Sequence, residues 1–445
     1  MIDADLAIVD ASELVTVRGE APRLGAALSD LGIIQRGCLA ARDGRIVFVG
    51  DGRDYRRQVR LGRSGVEIDA TGRTVLPGFV DPHTHLPFAG SREHEFEMAL
   101  GGATYEEIAA GGGGIQSTVE ATRGATYDAL VELGKVRLNR MLLHGTTTAE
   151  AKSGYGLTLD DELKQLRVLQ ALDSIHPIDL VPTFLGAHVV PQERRRDREA
   201  YVREVIERMI PEVARQRLAR FCDVFVEEIA FTPEEAERIL RSAADHGLGL
   251  RVHADQLRDS GGALLAARLG AASADHLEHA GLEGIRALAR SGTTAVLLPG
   301  ASFFIGSRAP GLGRRLVEAQ VPVAVATDFN PGTCPTEAMP AILPLACLDG
   351  GLSPAAAVVA ATLNAAHSLG LASRLGSLEV GKSADIQILE VPNHLHLVYH
   401  FGVNHCRTVV KQGRVVVEEG VIAGTAPGAP SGNGSTGKPL GGFRP

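Results

Sequence analysis

Through the middle of the chain, short apolar runs alternate with helix-length amphipathic stretches. Eight runs read as strands: Val75 to Val80, Gly145 to Ala149, Leu180 to Leu185, Val224 to Ile229, Leu248 to Val252, Ala271 to Ala274, Thr294 to Leu298 and Val321 to Ala326. Eight strands separated by helical segments predict an α/β architecture, a (β/α)8 TIM barrel over residues 75–371. The flanks follow a different pattern. Residues before about 75 read as short β-segments, such as Leu6 to Val9 and Arg45 to Gly50, broken by Gly and Asp turns. After the barrel, Ile386 to Leu389 and Thr408 to Val417, around a Gln412-Gly413 turn, are again strand-like. The two ends of one folded unit commonly lie close together. Residues 1–74 and 372–423 are therefore expected to build one small β-sandwich domain, interrupted by the barrel.

Two stretches stand outside this pattern. Residues 424–445 are rich in Gly, Pro and Ser and are expected to form a disordered tail. Between His85 and the second strand lies an insertion containing Tyr105 and Gly111-Gly112-Gly113-Gly114. No Gly-Lys-Ser/Thr follows these glycines, so a mobile loop closing the barrel mouth is a better reading than a phosphate cradle.

Composition narrows the function classes. With 445 residues the chain can bury a large core. Its net charge of −8 is interspersed, which argues against a nucleic-acid partner. Arg194-Arg195-Arg196 precedes Asp197 and Glu199 and reads as a solvated helix face. Cys38, Cys222, Cys334, Cys347 and Cys406 lack CxxC spacing, so neither a disulfide framework nor a thiolate metal site is expected. The N-terminus carries Asp3 and Asp5 where a signal peptide would be basic, and no apolar run reaches membrane-spanning length. These features predict a cytoplasmic protein with no membrane partner.

The chemistry begins at Gly78-Phe79-Val80-Asp81-Pro82-His83-Thr84-His85, an apolar strand ending in two histidines one residue apart. Residues i and i+2 of a strand share a side, so both imidazoles can reach one cation. In a TIM barrel the chemistry sits at the C-terminal strand ends. There the sequence places His83 and His85 after the first strand, His253 after the fifth, His276 after the sixth and Asp328 after the eighth. Any one of them alone would read as a hydrogen-bonded core or turn residue; together they point to a metal centre. The ligands His83, His85, His253 and Asp328 suit one Zn2+ or Fe2+ ion per subunit, whereas Mg2+ or Ca2+ would call for more oxygen ligands. Such an ion brings the pKa of a bound water towards about 7 and polarises a carbonyl. Asp328 could accept the water proton and pass it to a leaving nitrogen, while His276 hydrogen-bonds the water or the developing oxyanion.

Taken together, the segment Pro77 to His85 and the later Gly376 to Asp385 resemble the amidohydrolase superfamily over nearly the whole chain. The resemblance implies a metal-bearing barrel with a β-sandwich made from both termini. Some members hold two metals through a carboxylated lysine at the end of the fourth strand. Here that strand ends in Glu227 and Glu228, and Lys152 follows the second strand, which disfavours a bridged pair and leaves a glutamate-supported second metal as the alternative.

Five further segments are similar to one branch of the superfamily, whose members open the imidazolone ring of 4-imidazolone-5-propanoate to N-formimidoyl-L-glutamate in histidine degradation. They are Phe88 to Arg92, Ala151 to Gly156, Phe184 to His188, His253 to Gln256 and Thr327 to Thr333. Arg92 offers a planar fork for the propionate carboxylate, with an ion pair to Glu93 or Glu95 as the plainer reading. The resemblance assigns substrate contacts to Tyr155, His188, Asn330, Gly332 and Thr333. Gln256 departs from the glutamate that deaminases of the superfamily carry three residues after the fifth-strand histidine. An amide cannot act as that base, so deamination of a small heterocycle is the weaker enzymatic reading. The proton work then falls on Asp328 and His276, and Gln256 orients the ring. A scaffold without catalysis would have no reason to keep all four ligands. The sequence leaves a homodimer open.

Overall fold

The computed structural model describes residues 1–103 and 113–423. Tyr105, Gly111, Gly112 and the tail expected to be disordered lie outside the described residues. The chain opens with strands β1 (Ile2–Val15), β2 (Ile33–Arg42), β3 (Arg45–Asp51), β4 (Val59–Asp69) and β5 (Thr74–Pro77). Eight barrel strands follow: β6 (Phe79–Asp81), β7 (Thr146–Lys152), β8 (Asp179–Ala187), β9 (Phe221–Val226), β10 (Gly249–Ala254), β11 (Ser273–His276), β12 (Thr294–Leu297) and β13 (Val323–Val325). The chain then returns through β14 (Ile386–Leu389), β15 (Cys406–Lys411), β16 (Arg414–Glu418) and β17 (Val421–Ile422).

Strands β6 to β13 pair in parallel and in chain order. Every residue of β7 and β9 is buried, as expected of parallel strands covered on both faces. Several of the surrounding helices bury one stripe. The helix Pro233–Asp245 begins in a capping box between Thr232 and Glu235 and turns Ala236, Ile239, Leu240 and Ala243 inward. Closure between β6 and β13 happens just past their ends, through a parallel bridge between Thr84 and Phe329. The Asp328 N–H donates to the His83 carbonyl at 3.0 Å, and the His85 N–H donates to the Phe329 carbonyl at 2.9 Å.

The single first strand expected over Val75 to Val80 is two strands. Thr74–Pro77 pairs with β1 and β14, whereas Phe79–Asp81 pairs with β7. The switch occurs at Gly78, whose N–H donates to the Asp385 carbonyl at 3.0 Å. A β-carbon there would run into the Thr147 side chain, so only glycine fits the crossing.

Both chain ends join one unit, as expected, and its strands form one nine-stranded sheet in the order β17-β16-β15-β14-β5-β1-β2-β3, with β4 on β1. The sheet folds back on itself. The Ile46 N–H reaches the Lys382 carbonyl at 2.9 Å, and the Ala384 N–H reaches the Gly44 carbonyl at 2.9 Å. The two layers of the sandwich are therefore continuous and enclose Leu6, Ile8, Leu39, Ile46, Ile386 and Val410. Lys411 ties this unit to the barrel, with its Nζ 2.8 Å from Asp179 and 2.7 Å from Asp385. Among the described residues, no helix is long and apolar enough to cross a membrane.

Candidate metal centre and active site

The expected ligands meet at the C-terminal mouth. His83 Nε2 stands 3.4 Å from Asp328 Oδ1, His85 Nε2 3.5 Å from the same oxygen, and His253 Nε2 3.4 Å from His85 Nε2. A tetrahedron with zinc-to-nitrogen bonds of about 2.0–2.1 Å has edges of about 3.4 Å. The buried donors therefore have the spacing of one coordination sphere, and His83 Nε2 has no hydrogen-bond partner among the described residues. His83, His85 and His253 form one candidate metal-binding group, and His83, His276 and Asp328 form another. Backbone strain collects at the same place, with Asp255 (φ 52°), His276 (φ 80°), Leu277 (φ 74°) and Asp328 (φ 53°) in the left-handed region.

Burial leaves the imidazoles as neutral donors. It lowers His85 to about 3 and His253 to about 4, and it carries His83 well below the usual histidine range, helped by the nearby Lys152 ammonium. For Asp328, burial raises the carboxyl. His276 runs the other way. Burial would lower it, but the carboxylates of Glu278, 3.7 Å away, Asp328 and Asp275 together raise it above the usual histidine value.

Beneath the ligands lies a charged layer that the sequence reading did not assign to the site. Asp275 Oδ2 is 2.7 Å from His83 Nδ1, and Asp223 Oδ2 is 3.0 Å from His253 Nδ1. Lys152 Nζ is 2.8 Å from both Glu150 and Asp223, and Arg251 reaches Asp275 at 3.2 Å. Burial alone would lower the Lys152 ammonium, but Asp223 and Glu150 reverse the shift and raise it. The signal was present as charged residues within apolar strands: Glu150 and Lys152 in β7, Asp223 in β9, Arg251 in β10 and Asp275 in β11. Glu278, beside His276 and accepting from Ser302 at 2.5 Å, was also missed.

Of the expected substrate residues, His188, Tyr155 and Thr333 lie beside this centre. His188 stacks on His85 with ring centroids 5.1 Å apart, and Tyr155 lies 5.8 Å from His85 and 5.4 Å from His188. Tyr155 is carried on a loop held by the buried Glu162, which accepts from the N–H groups of Gly156 at 2.9 Å and Leu157 at 2.8 Å. Arg92 makes the ion pair with Glu95, Nε to carboxylate at 2.8 Å, and its Nη1 lies where a side chain on Gly332 would begin. Asn330 is occupied by its own turn. Its amide donates to the Asp328 carbonyl at 2.6 Å and to Thr333 Oγ1 at 2.7 Å, and its oxygen accepts from the N–H groups of Gly332 at 2.8 Å and Thr333 at 2.7 Å. Gln256 is 9 % exposed, two residues past β10.

The glutamates after the fourth strand stand apart from this centre. Glu227 holds the loop after β10, accepting from the Leu257 N–H at 2.8 Å and from Ser260 Oγ at 2.8 Å. Glu228 is exposed and pairs with Arg258. Among the described residues, neither joins a candidate metal-binding group.

Residues 74–424 match the profile of the amidohydrolase family, and the chain belongs to that family. Solved structures share the fold at low identity. A zinc-bound adenosine deaminase from Xanthomonas campestris matches with a TM-score of 0.69 at 17 % identity, over 96 % of this chain and 95 % of that one. A triazine hydrolase variant matches with a TM-score of 0.72 at 18 % identity, over 95 % and 96 %. Much nearer in sequence are imidazolonepropionases. That of Symbiobacterium thermophilum is 54 % identical, over 95 % of this chain and 99 % of its own length. That of Geobacillus kaustophilus is 52 % identical, over 93 % and 98 %.

Proposed function

We propose that this chain acts as an imidazolonepropionase: it hydrolyses the ring C–N bond of 4-imidazolone-5-propanoate to give N-formimidoyl-L-glutamate. The observation that carries this reading is the convergence of His83, His85, His253 and Asp328 at coordination spacing, in a chain 54 % identical to an enzyme of that name. These four residues would hold one Zn2+ or iron ion. When bound, such an ion supplies a water-derived nucleophile near neutral pH and polarises the ring carbonyl. The pairing of Lys152 with Glu150 and Asp223, and the engagement of Glu227 and Glu228 elsewhere, favour a single ion over a bridged pair.

The chain's own residues divide the remaining work. Water adds its oxygen to the carbonyl carbon, the C–N bond breaks, and the water's proton moves through the Asp328 carboxylate to the departing nitrogen. His276, held towards its protonated form by Glu278, donates a hydrogen bond to the developing oxyanion. Gln256 has no basic atom, so it orients the ring and takes no proton; a deaminase that needs a glutamate base there fits this chain less well. Arg92, with Nε fixed by Glu95, turns its terminal nitrogens to the propionate tail. Tyr155 and His188 provide a wall for the ring. Asn330 locks its turn so that Gly332 leaves room for the guanidinium and Thr333 Oγ1 stays 3.4 Å from Asp328 Oδ2. The five cysteines are free, which suits a reducing compartment, and we place the activity in the cytoplasm.

Loss of the imidazolone ultraviolet absorbance, followed with metal-loaded protein, tests the reading. Turnover that stops on chelation and returns with Zn2+ or Fe2+ is expected. A loaded protein that leaves the chromophore intact would end it.

A further inference from the structure

Lys152 closes β7 with its side chain entirely buried. Its Nζ lies 2.8 Å from Glu150 Oε1, 2.8 Å from Asp223 Oδ2 and 3.9 Å from Asp275 Oδ2. The two aspartates face the Nδ1 atoms of His253 and His83, on the side of each ring away from the converging Nε2 atoms. A carboxylate at Nδ1 fixes the proton there and leaves the Nε2 lone pair for a cation. Holding such carboxylates in a dry interior requires a cation of fixed position, because an unpaired buried charge is expensive. Arg251 serves Asp275, at 3.2 Å, and also donates to the Pro82 carbonyl at 2.7 Å. On Asp223, Lys152 is the buried ammonium.

We propose that Lys152 is a positioning residue of the metal centre: it holds Asp223, and with Arg251 it holds Asp275, so that His253 and His83 present Nε2 to the ion. The proposal rests on the metal-ligand reading above. A purely structural role would be neutralisation of Glu150, and the two can be separated.

The experiment compares the parent with Lys152→Met, which keeps the apolar stem, and with Lys152→Met/Glu150→Gln, which also removes the acid left unpaired. Zn2+ affinity is measured against a competing chelator, together with the visible spectrum of the Co2+-substituted protein and the thermal midpoint. Removing an outer partner of a metal ligand, the place Asp223 holds behind His253, typically weakens metal binding by roughly 10–100-fold. Freeing Asp223 from the lysine that fixes it should weaken binding within that range. A loss of that size and an altered cobalt spectrum are expected in both variants, while the double variant regains thermal stability. The double variant carries the test by itself if Lys152→Met does not fold. Parental Zn2+ affinity and cobalt spectrum in the double variant would overturn the proposal. A parent that binds no Zn2+ or Co2+ would instead remove the ligand reading on which it stands.

Discussion

The backbone N–H of Asp328 donates to the carbonyl of His83 at 3.0 Å, and the side chains of the same two residues meet 3.4 Å apart. The first and last barrel strands are thus joined at two residues of the proposed metal centre. Thr327 strengthens the seam, its hydroxyl donating to Asp81 at 2.6 Å and its N–H at 3.1 Å. The fold is already closed by protein bonds, so the ion should add stability without being needed for folding.

Chelation should leave the far-ultraviolet circular dichroism unchanged and lower the thermal midpoint. The difference should grow with free metal, reaching roughly 2.7 kcal/mol at 100 times the dissociation constant. A midpoint that ignores metal concentration would show that no ion binds the native state selectively.

Arg92 and Gly332 should fail together. Arg92→Lys keeps the charge and loses the fork, and a hydrogen bond to a charged group contributes about 1.5–3 kcal/mol, so KM should rise roughly 10- to 100-fold with a smaller change in kcat. Gly332→Ala places a methyl group against Arg92 Nη1 and should raise KM in the same direction. Steady-state kinetics with 4-imidazolone-5-propanoate decide it; an unchanged KM in Arg92→Lys would move the anchor elsewhere.

Much of this was legible from sequence because periodicity and strand-end placement are local signals. His83 and His85 sit one residue apart at the end of an apolar run, and His253 and Asp328 follow runs of the same kind. The split of the first strand at Gly78 was not legible. Val75 and Val80 are both buried and apolar, and only the partners of each half, β14 and β7, tell the sheets apart. The charged layer was missed because a lysine inside a strand acquires meaning only from strands that face it across the barrel interior, here Asp223 on β9 and Asp275 on β11. For Arg92 the plainer reading is present, as Glu95 holds Nε, and the anchoring of a carboxylate by its terminal nitrogens is part of the proposal. The polar groups of Asn330 are engaged within its own turn.

Proton transfer separates Asp328 from Gln256. Metal-loaded Asp328→Asn should lose turnover by roughly 10²–10⁴-fold, the usual contribution of a positioned general base. Gln256→Ala should bind substrate less tightly and keep measurable chemistry. Single-turnover rates in excess metal distinguish them, and the reverse pattern would point to a water relay organised by the glutamine.

Asn364 should prove a strong structural residue far from the chemistry. Its amide donates to the Arg23 carbonyl at 3.0 Å and the Val323 carbonyl at 2.9 Å, and its oxygen accepts from the Arg23 N–H at 2.8 Å. Asn364→Ala orphans these buried groups and should cost roughly 3 kcal/mol in urea unfolding, with KM unchanged. A loss below about 0.5 kcal/mol would mean that water replaces the amide.

The most direct measurement takes metal content and imidazolone turnover from the same samples of parent protein and His253→Ala. We expect one equivalent of Zn2+ or iron and full turnover in the parent, with both lost from His253→Ala while its circular dichroism is retained. A His253→Ala protein that keeps a full equivalent and turns over at the parental rate would contradict the assignment of His83, His85, His253 and Asp328 as the catalytic metal site.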